Sequence, residues 1–102
     1  MPTVNYKDYL YEELKDKDYA AGYLTACYED SLESFLVGLR DVVEVHGGVR
    51  ELSNTTELNR ENLYKLLSEE GNPKLASLHS ILSALGFKLQ INVATEGKKE
   101  AA

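Results

Sequence analysis

Between residues 48 and 71 the chain reads GVRELSNTTELNRENLYKLLSEEG, a pattern few folds accommodate. Apolar residues fall at Val49, Leu52, Leu58, Leu63, Leu66 and Leu67. Leu63, Leu66 and Leu67 stand at i, i+3 and i+4, which is one face of a short helix. Leu52 belongs to a preceding short helix and Leu58 to the turn between the two. A helix, a tight turn with its own buried Leu, and a second helix form the pattern of a DNA-binding helix-turn-helix. The second helix would lie in the major groove. Its outward residues, Asn59, Arg60, Glu61, Tyr64 and Lys65, all hydrogen-bond, as a DNA-reading face requires. Arg60 stands at the helix start, where a guanidinium can bridge a guanine bidentately. Tyr64 and Lys65, one turn later, would reach base edges or phosphates, and Asn59 would cap the helix and face the DNA backbone.

Two positions depart from the usual form of this hairpin. The turn position that commonly holds Gly, because its backbone wants a positive φ, is Glu57. Glu57 is therefore expected in the left-handed region. The close-contact position that is commonly Ala is Ser53, a residue nearly as small.

A chain of 102 residues has room for one domain with one modest core. Its single cysteine, Cys27, excludes an internal disulfide and a thiolate metal cluster. His46 and His79 lie in different expected helices without partners at ligand spacing, so neither a metal nor a cofactor is expected. No signal-peptide pattern and no apolar run of about 20 residues is present, which makes the cytoplasm the expected location.

Charge is distributed unevenly. Residues 1–46 carry 4 Lys/Arg against 10 Asp/Glu, whereas residues 47–88 carry 5 of each and residues 89–102 carry 2 of each. The net charge of −6 thus lies wholly in the N-terminal part. Affinity for DNA comes largely from neutralising phosphates, so a monomer should bind it weakly. The acidic part suits a basic protein partner.

Helical periodicity organises the rest. Tyr6, Leu10 and Leu14 mark a helix over residues 6–15. Asp18 can cap a second, running to about residue 29, with Tyr19, Ala20, Tyr23, Leu24 and Cys27 on one stripe. Asp30, with Glu33 in the reciprocal position, opens a third, with Leu32, Phe35, Leu36, Leu39, Val42 and Val43 on its apolar face. Gly47 and Gly48 stop it, and His46 would neutralise its terminal carbonyls. Asn59 and Gly71 bound the second helix of the hairpin. Asn72 caps the last helix and Pro73 takes its first position. Leu75, Leu78, Ile81, Leu82 and Leu85 line that helix, His79 faces outward, and Gly86 ends it. Phe87, Leu89, Ile91 and Val93 then alternate with polar residues, the signature of a strand over residues 87–93. A lone strand has no intramolecular partner, so it could pair with a symmetry mate, add to the sheet of another protein, or lie extended against its own helices. A frayed tail is expected over residues 94–102.

The order YKDYLYEELKDKDYAAGYLTACYED, SLESFLVGLRDVVEVHGGVRELS, LNRENLYKLLSEEGNPKLASLHSILSALGFKL resembles the addiction-module antidote proteins, HigA-like antitoxins with a Cro/cI-type helix-turn-helix. The resemblance spans residues 6–89, and its most specific pieces are LYKLLSEEGNP and ILSALGFKL. It implies a lambda-repressor-like helical domain; with the periodicity, the expected fold is an all-α helix-turn-helix core over residues 31–86, with two extra N-terminal helices over residues 6–29 and a short C-terminal β-strand over residues 87–93. It also implies a RelE/ParE-type toxin partner, binding to double-stranded operator DNA, autorepression and a homodimer. The tyrosines Tyr6, Tyr9 and Tyr11 of the acidic part are expected to anchor the toxin. Phe87, Leu89, Ile91 and Val93 are expected to form the dimer seam or the added strand.

Three classes of function compete. The first is an antitoxin that also represses transcription. The second is a protein-interaction module of the same fold with little or no DNA binding, as Glu57, Glu61 and the neutral charge would allow. The third, an enzyme, finds no support: there is no phosphate loop, no Cys–His or Ser–His arrangement and no metal-ligand set, and Glu12-Glu13 and Glu69-Glu70 read as solvated helix surface.

Overall fold

A computed structural model describes residues 6–94. They form six α-helices in chain order: α1 (Tyr6–Leu14), α2 (Lys17–Asp30), α3 (Leu32–Val45), α4 (Gly48–Thr55), α5 (Arg60–Leu66) and α6 (Leu75–Leu85). The all-helical class and the six segments agree with the periodicity. The expected strand over residues 87–93 does not: no strand occurs among the described residues. Alternation makes a segment fit for a sheet, but a ladder needs a second segment to receive its bonds. The expected tail beyond residue 94 lies outside the described residues.

Several helix ends fall elsewhere than expected, each for a local reason. Asp16, not Asp18, caps α2; its carboxylate accepts from the backbone N–H groups of Asp18 and Tyr19 at 2.8 and 3.2 Å. Ser31, not Asp30, caps α3, its hydroxyl accepting from the Ser34 N–H at 2.9 Å. Asp30 instead closes α2 and accepts from the Ser34 hydroxyl. Helix α5 ends at Leu66, before Gly71, and α6 starts after Lys74, so Asn72 and Pro73 belong to the connection. Asn59 does cap α5, accepting from the Asn62 N–H at 2.7 Å.

The core is continuous. Leu10 and Leu14 of α1, Ala20 and Leu24 of α2, and Phe35, Leu39, Val42 and Val43 of α3 pack into it from one side. Leu52, Leu63, Leu67, Ile81, Leu82 and Leu85 complete it from the other, with Leu58 and Phe87 packed against it. Leu32 and Leu75, expected on apolar faces, are instead 66% and 70% exposed. The α2–α3 pair is the most extensive, and Gly38 sets its spacing: a Cβ there would stand 2.8 Å from Cys27 Sγ. Gly47 and Gly86, at φ 109° and 95°, take the left-handed region that ends α3 and α6. At the second of these the Gly86 N–H reaches Ser83 O and the Phe87 N–H reaches Leu82 O at 2.8 Å, which seats Phe87 on the core.

Candidate functional site

The hairpin α4–α5 is held from inside by Leu52 and Leu63, 3% and 0% exposed. Its turn is built by hydroxyls. Thr56 Oγ1 donates to Leu52 O at 2.9 Å and accepts from the Leu58 N–H at 3.2 Å, while Thr55 Oγ1 donates to Glu51 O and Leu52 O. No described non-glycine residue has a positive φ, so Glu57 does not take the left-handed region expected of it. The side-chain bonds of Thr55 and Thr56 converge on the Glu51 and Leu52 carbonyls of α4 and tie down the Leu58 N–H, which shapes the turn without a glycine. Ser53, half-buried, donates to Arg50 O at 2.9 Å.

With Leu63 turned inward, α5 presents Asn59, Arg60, Glu61, Tyr64 and Lys65 to solvent, all exposed, Tyr64 at 62%. All five residues of the expected reading face are therefore solvent-exposed. Asn59 spends its side-chain oxygen on its own cap. Tyr64 also borders a groove of about 560 Å³ shared with Arg40, Arg50, Glu44, Val49 and Leu67. Arg40 of α3 and Arg50 of α4 are the cations that sequence reasoning missed, because only the folded chain brings three separate helices to one groove.

The tyrosines expected to anchor a partner divide into two kinds. Tyr6 and Tyr9 are exposed, at 75% and 58%. Tyr11 is half-buried, and its phenol donates to Asp41 Oδ1 at 3.1 Å and to Glu44 Oε1 at 2.5 Å. Tyr23, on α2, donates to Asp41 Oδ2 at 3.2 Å, so one α3 carboxylate gathers phenols from two helices. Burial pushes both phenols well above their ordinary value; the bond to Glu44 adds to it for Tyr11, and the charge of Asp41 adds to it for Tyr23. Both therefore stay protonated donors. Burial likewise raises the Cys27 thiol above its ordinary value. His46 caps α3 through its backbone, while its ring Nε2–H donates to Leu14 O, the last residue of α1, at 2.9 Å. The carbonyl that it satisfies belongs to a different helix from the one expected.

Of the expected seam, Phe87 is half-buried, whereas Leu89, Ile91 and Val93 are 52%, 99% and 73% exposed. No group of three or more metal-ligating side chains occurs among the described residues. No helix there is long and apolar enough to cross a membrane.

No solved structure matches the chain. An uncharacterised protein of Haemophilus influenzae is 31% identical to it over 91 residues, covering 78% of this chain and 92% of that protein. A family profile described as "Probable addiction module antidote protein" matches residues 5–93. A match of that extent takes in all six helices together with the groove and the exposed face of α5, and on it the chain belongs to the family of addiction-module antidote proteins.

Proposed function

We propose that this antidote protein is a single-domain, non-enzymatic, cytoplasmic regulator that neutralises a RelE/ParE-type toxin and, as a homodimer, represses its own operon by binding operator DNA. The observation that carries the DNA reading is the exposed polar face of α5, held outward by the buried Leu63. In this reading Arg60 reads a base, Tyr64 and Lys65 reach base edges or phosphates, and Arg40 and Arg50, which line one groove with Tyr64, add positive charge. The toxin reading rests on the family and on charge. The exposed Tyr6 and Tyr9 stand on the acidic part, whose 10 Asp/Glu against 4 Lys/Arg suit the basic surface expected of a protein that acts on RNA.

A mobility-shift titration on the upstream DNA, with and without the toxin, tests the repressor. Arg60→Ala should cost about 1–3 kcal/mol and relax one position of the operator. Lys65→Ala should weaken all sequences more evenly and flatten the salt dependence. A wild-type protein that shifts no fragment in either condition would favour the second reading, a protein-interaction module with little or no DNA binding. The exposed Glu57 and Glu61 and the absence of net positive charge in residues 47–88 speak for that reading. Replacing Tyr6 and Tyr9 together by Ala, in a toxin pull-down, should reduce capture without changing the helical content.

A further inference from the structure

In a chain with 17 Asp/Glu against 11 Lys/Arg, cations are expected to find carboxylates. Arg40 and Arg50 line the groove of about 560 Å³ between α3, α4 and α5, and among the described residues neither side chain forms an ion pair or a hydrogen bond. Arg50 has no carboxylate three or four residues away on either side. Arg40 has one, Glu44 at i+4, the spacing at which helical side chains meet. Glu44 borders the same groove, yet its Oε1 accepts from the Tyr11 hydroxyl of α1 at 2.5 Å. Tyr11 has a single phenolic hydrogen. Asp41, its other acceptor at 3.1 Å, also receives the Tyr23 phenol of α2 at 3.2 Å, which frees the Tyr11 hydrogen for Glu44. Burial, above all, keeps both phenols protonated well beyond neutral pH.

We propose that Arg40 and Arg50, with the Tyr64 hydroxyl, form a phosphate-binding site, and that Tyr11 is its positioning residue, keeping the site open by holding Glu44 off Arg40. The ligand class follows from the donors. Guanidinium forks match phosphoryl oxygens, and a phenol adds a neutral donor. These donors come from three separate helices, which suits a tetrahedral group better than a planar carboxylate. Glu44 is the built-in competitor of such a ligand. Released from Tyr11, it would reach Arg40 across one helical turn and neutralise one of the two cations in the groove. The backbone of a DNA duplex and a free phosphate offer the same chemistry. The duplex suits the site better, because Tyr64 belongs both to the groove and to the exposed face of α5. On that point alone the inference rests on the proposed DNA reading; the competition between Tyr11 and Arg40 for Glu44 does not.

The test is a cycle of full-length variants, titrated with a double-stranded fragment of the upstream DNA and, separately, with inorganic pyrophosphate. Arg40→Ala and Arg50→Ala should each weaken DNA binding evenly across sequences and lower the slope of log affinity against log salt by about 0.9. Tyr11→Phe should weaken both ligands about two- to fivefold, the worth of an exposed ion pair set free to form. Adding Glu44→Gln should restore the wild-type affinity, which a merely structural role of Tyr11 would not allow, since the amide does not bring the phenol back. In an Arg40→Ala background Tyr11→Phe should change nothing. Val37→Glu tests the same competition without touching α1: it sets an unheld carboxylate three residues before Arg40 on an exposed position, and should weaken binding by a similar factor, with Val37→Gln as its neutral control. Two results would overturn the proposal: arginine variants that bind both ligands as the wild type does, or a Tyr11→Phe loss that Glu44→Gln leaves unrepaired. Pyrophosphate binding that follows the expected pattern in a protein that shifts no DNA would keep the site and remove the repressor. DNA binding that falls with Arg60→Ala but is indifferent to Arg40→Ala and Arg50→Ala would do the reverse.

Discussion

Helices α2 and α3 run for 14 residues each, whereas α4 and α5 run for 8 and 7. Both long helices open on a side-chain cap, Asp16 or Ser31. Helix α4 opens on Gly47 with no side-chain cap bond, and α5 on Asn59. An isolated helix as short as α4 or α5 is unstable in water, so that half of the molecule depends on a few buried leucines and the hydroxyls of its turn. The N-terminal half also holds the acid excess and the phenol–carboxylate network, while the C-terminal half is neutral and shows the exposed polar face of α5. Where the helices are shortest, the surface is the one proposed to meet DNA. Short helices held by tertiary contacts can present a face, and they are expected to open more readily than the long pair.

The sharpest way to break that comparison is to empty the core on each side in turn. Leu39→Ala and Leu63→Ala each remove a side chain that is 0% exposed, and each should cost about 2–5 kcal/mol. The difference should lie in what unfolds. Leu39→Ala should lower the stability of all helices together, whereas Leu63→Ala should speed amide hydrogen exchange in α4 and α5 before α2 and α3. Equal acceleration throughout in both variants would show one cooperative unit and end the contrast.

A smaller effect is expected at the phenol network. Tyr11→Phe removes the one phenolic donor shared between Asp41 and Glu44 and should cost about 1–2 kcal/mol, a partly exposed version of a charge-assisted bond. The pH dependence has a definite sign. Unfolded tyrosines lose their protons near pH 10, while Tyr11 and Tyr23 in the fold hold theirs to higher pH. Their contribution is therefore fully present below pH 10 and is lost as pH rises beyond it. Thermal melts of the wild type should show that alkaline decline, and the double variant Tyr11→Phe, Tyr23→Phe should flatten it. A decline of the same slope in both would assign it elsewhere.

The smallest effect concerns Glu57. Because it holds no left-handed conformation, replacing it by Gly relieves no strain and only adds freedom to the unfolded chain. Glu57→Gln is the cleaner change. It should leave the melting temperature within experimental error and, if phosphates lie near the turn, tighten DNA binding by a few tenths of a kcal/mol, as expected for an exposed charge. Affinity that is unchanged at low salt would place the turn away from the DNA.

The interior of the fold was legible in the residues. Leu39, Val42, Val43, Leu52, Leu63, Ile81 and Leu85 were readable as core because a helical period repeats one inward face, and α5 followed from Asn59 and Leu63. Cap positions were harder where two candidates adjoin. Asp16 and Asp18 are chemically alike, and only the bend of the preceding chain selects the first. Asn72-Pro73 looks like a helix start, yet residues 71–74 run on as connection until Lys74. The alternation after Gly86 is real, but it describes a capacity to pair, and the pairing partner is not in the local sequence. The bond from His46 to Leu14, the groove of Arg40, Arg50 and Tyr64, and the double use of Asp41 join residues far apart in the chain, so no local pattern announces them.

Among the described residues, helix α1 is fastened most firmly toward its C-terminal end. Its buried leucines, Leu10 and Leu14, the phenol of Tyr11 and the Leu14 carbonyl that accepts from His46 all lie from its middle to its C-terminus. Tyr6 and Tyr9 project beyond that clamp, exposed. In mechanical language α1 is a short cantilever. A pull on the projecting tyrosines is borne at its root, by Asp41, Glu44 and His46, and the residue after His46 is Gly47, on which α4 begins.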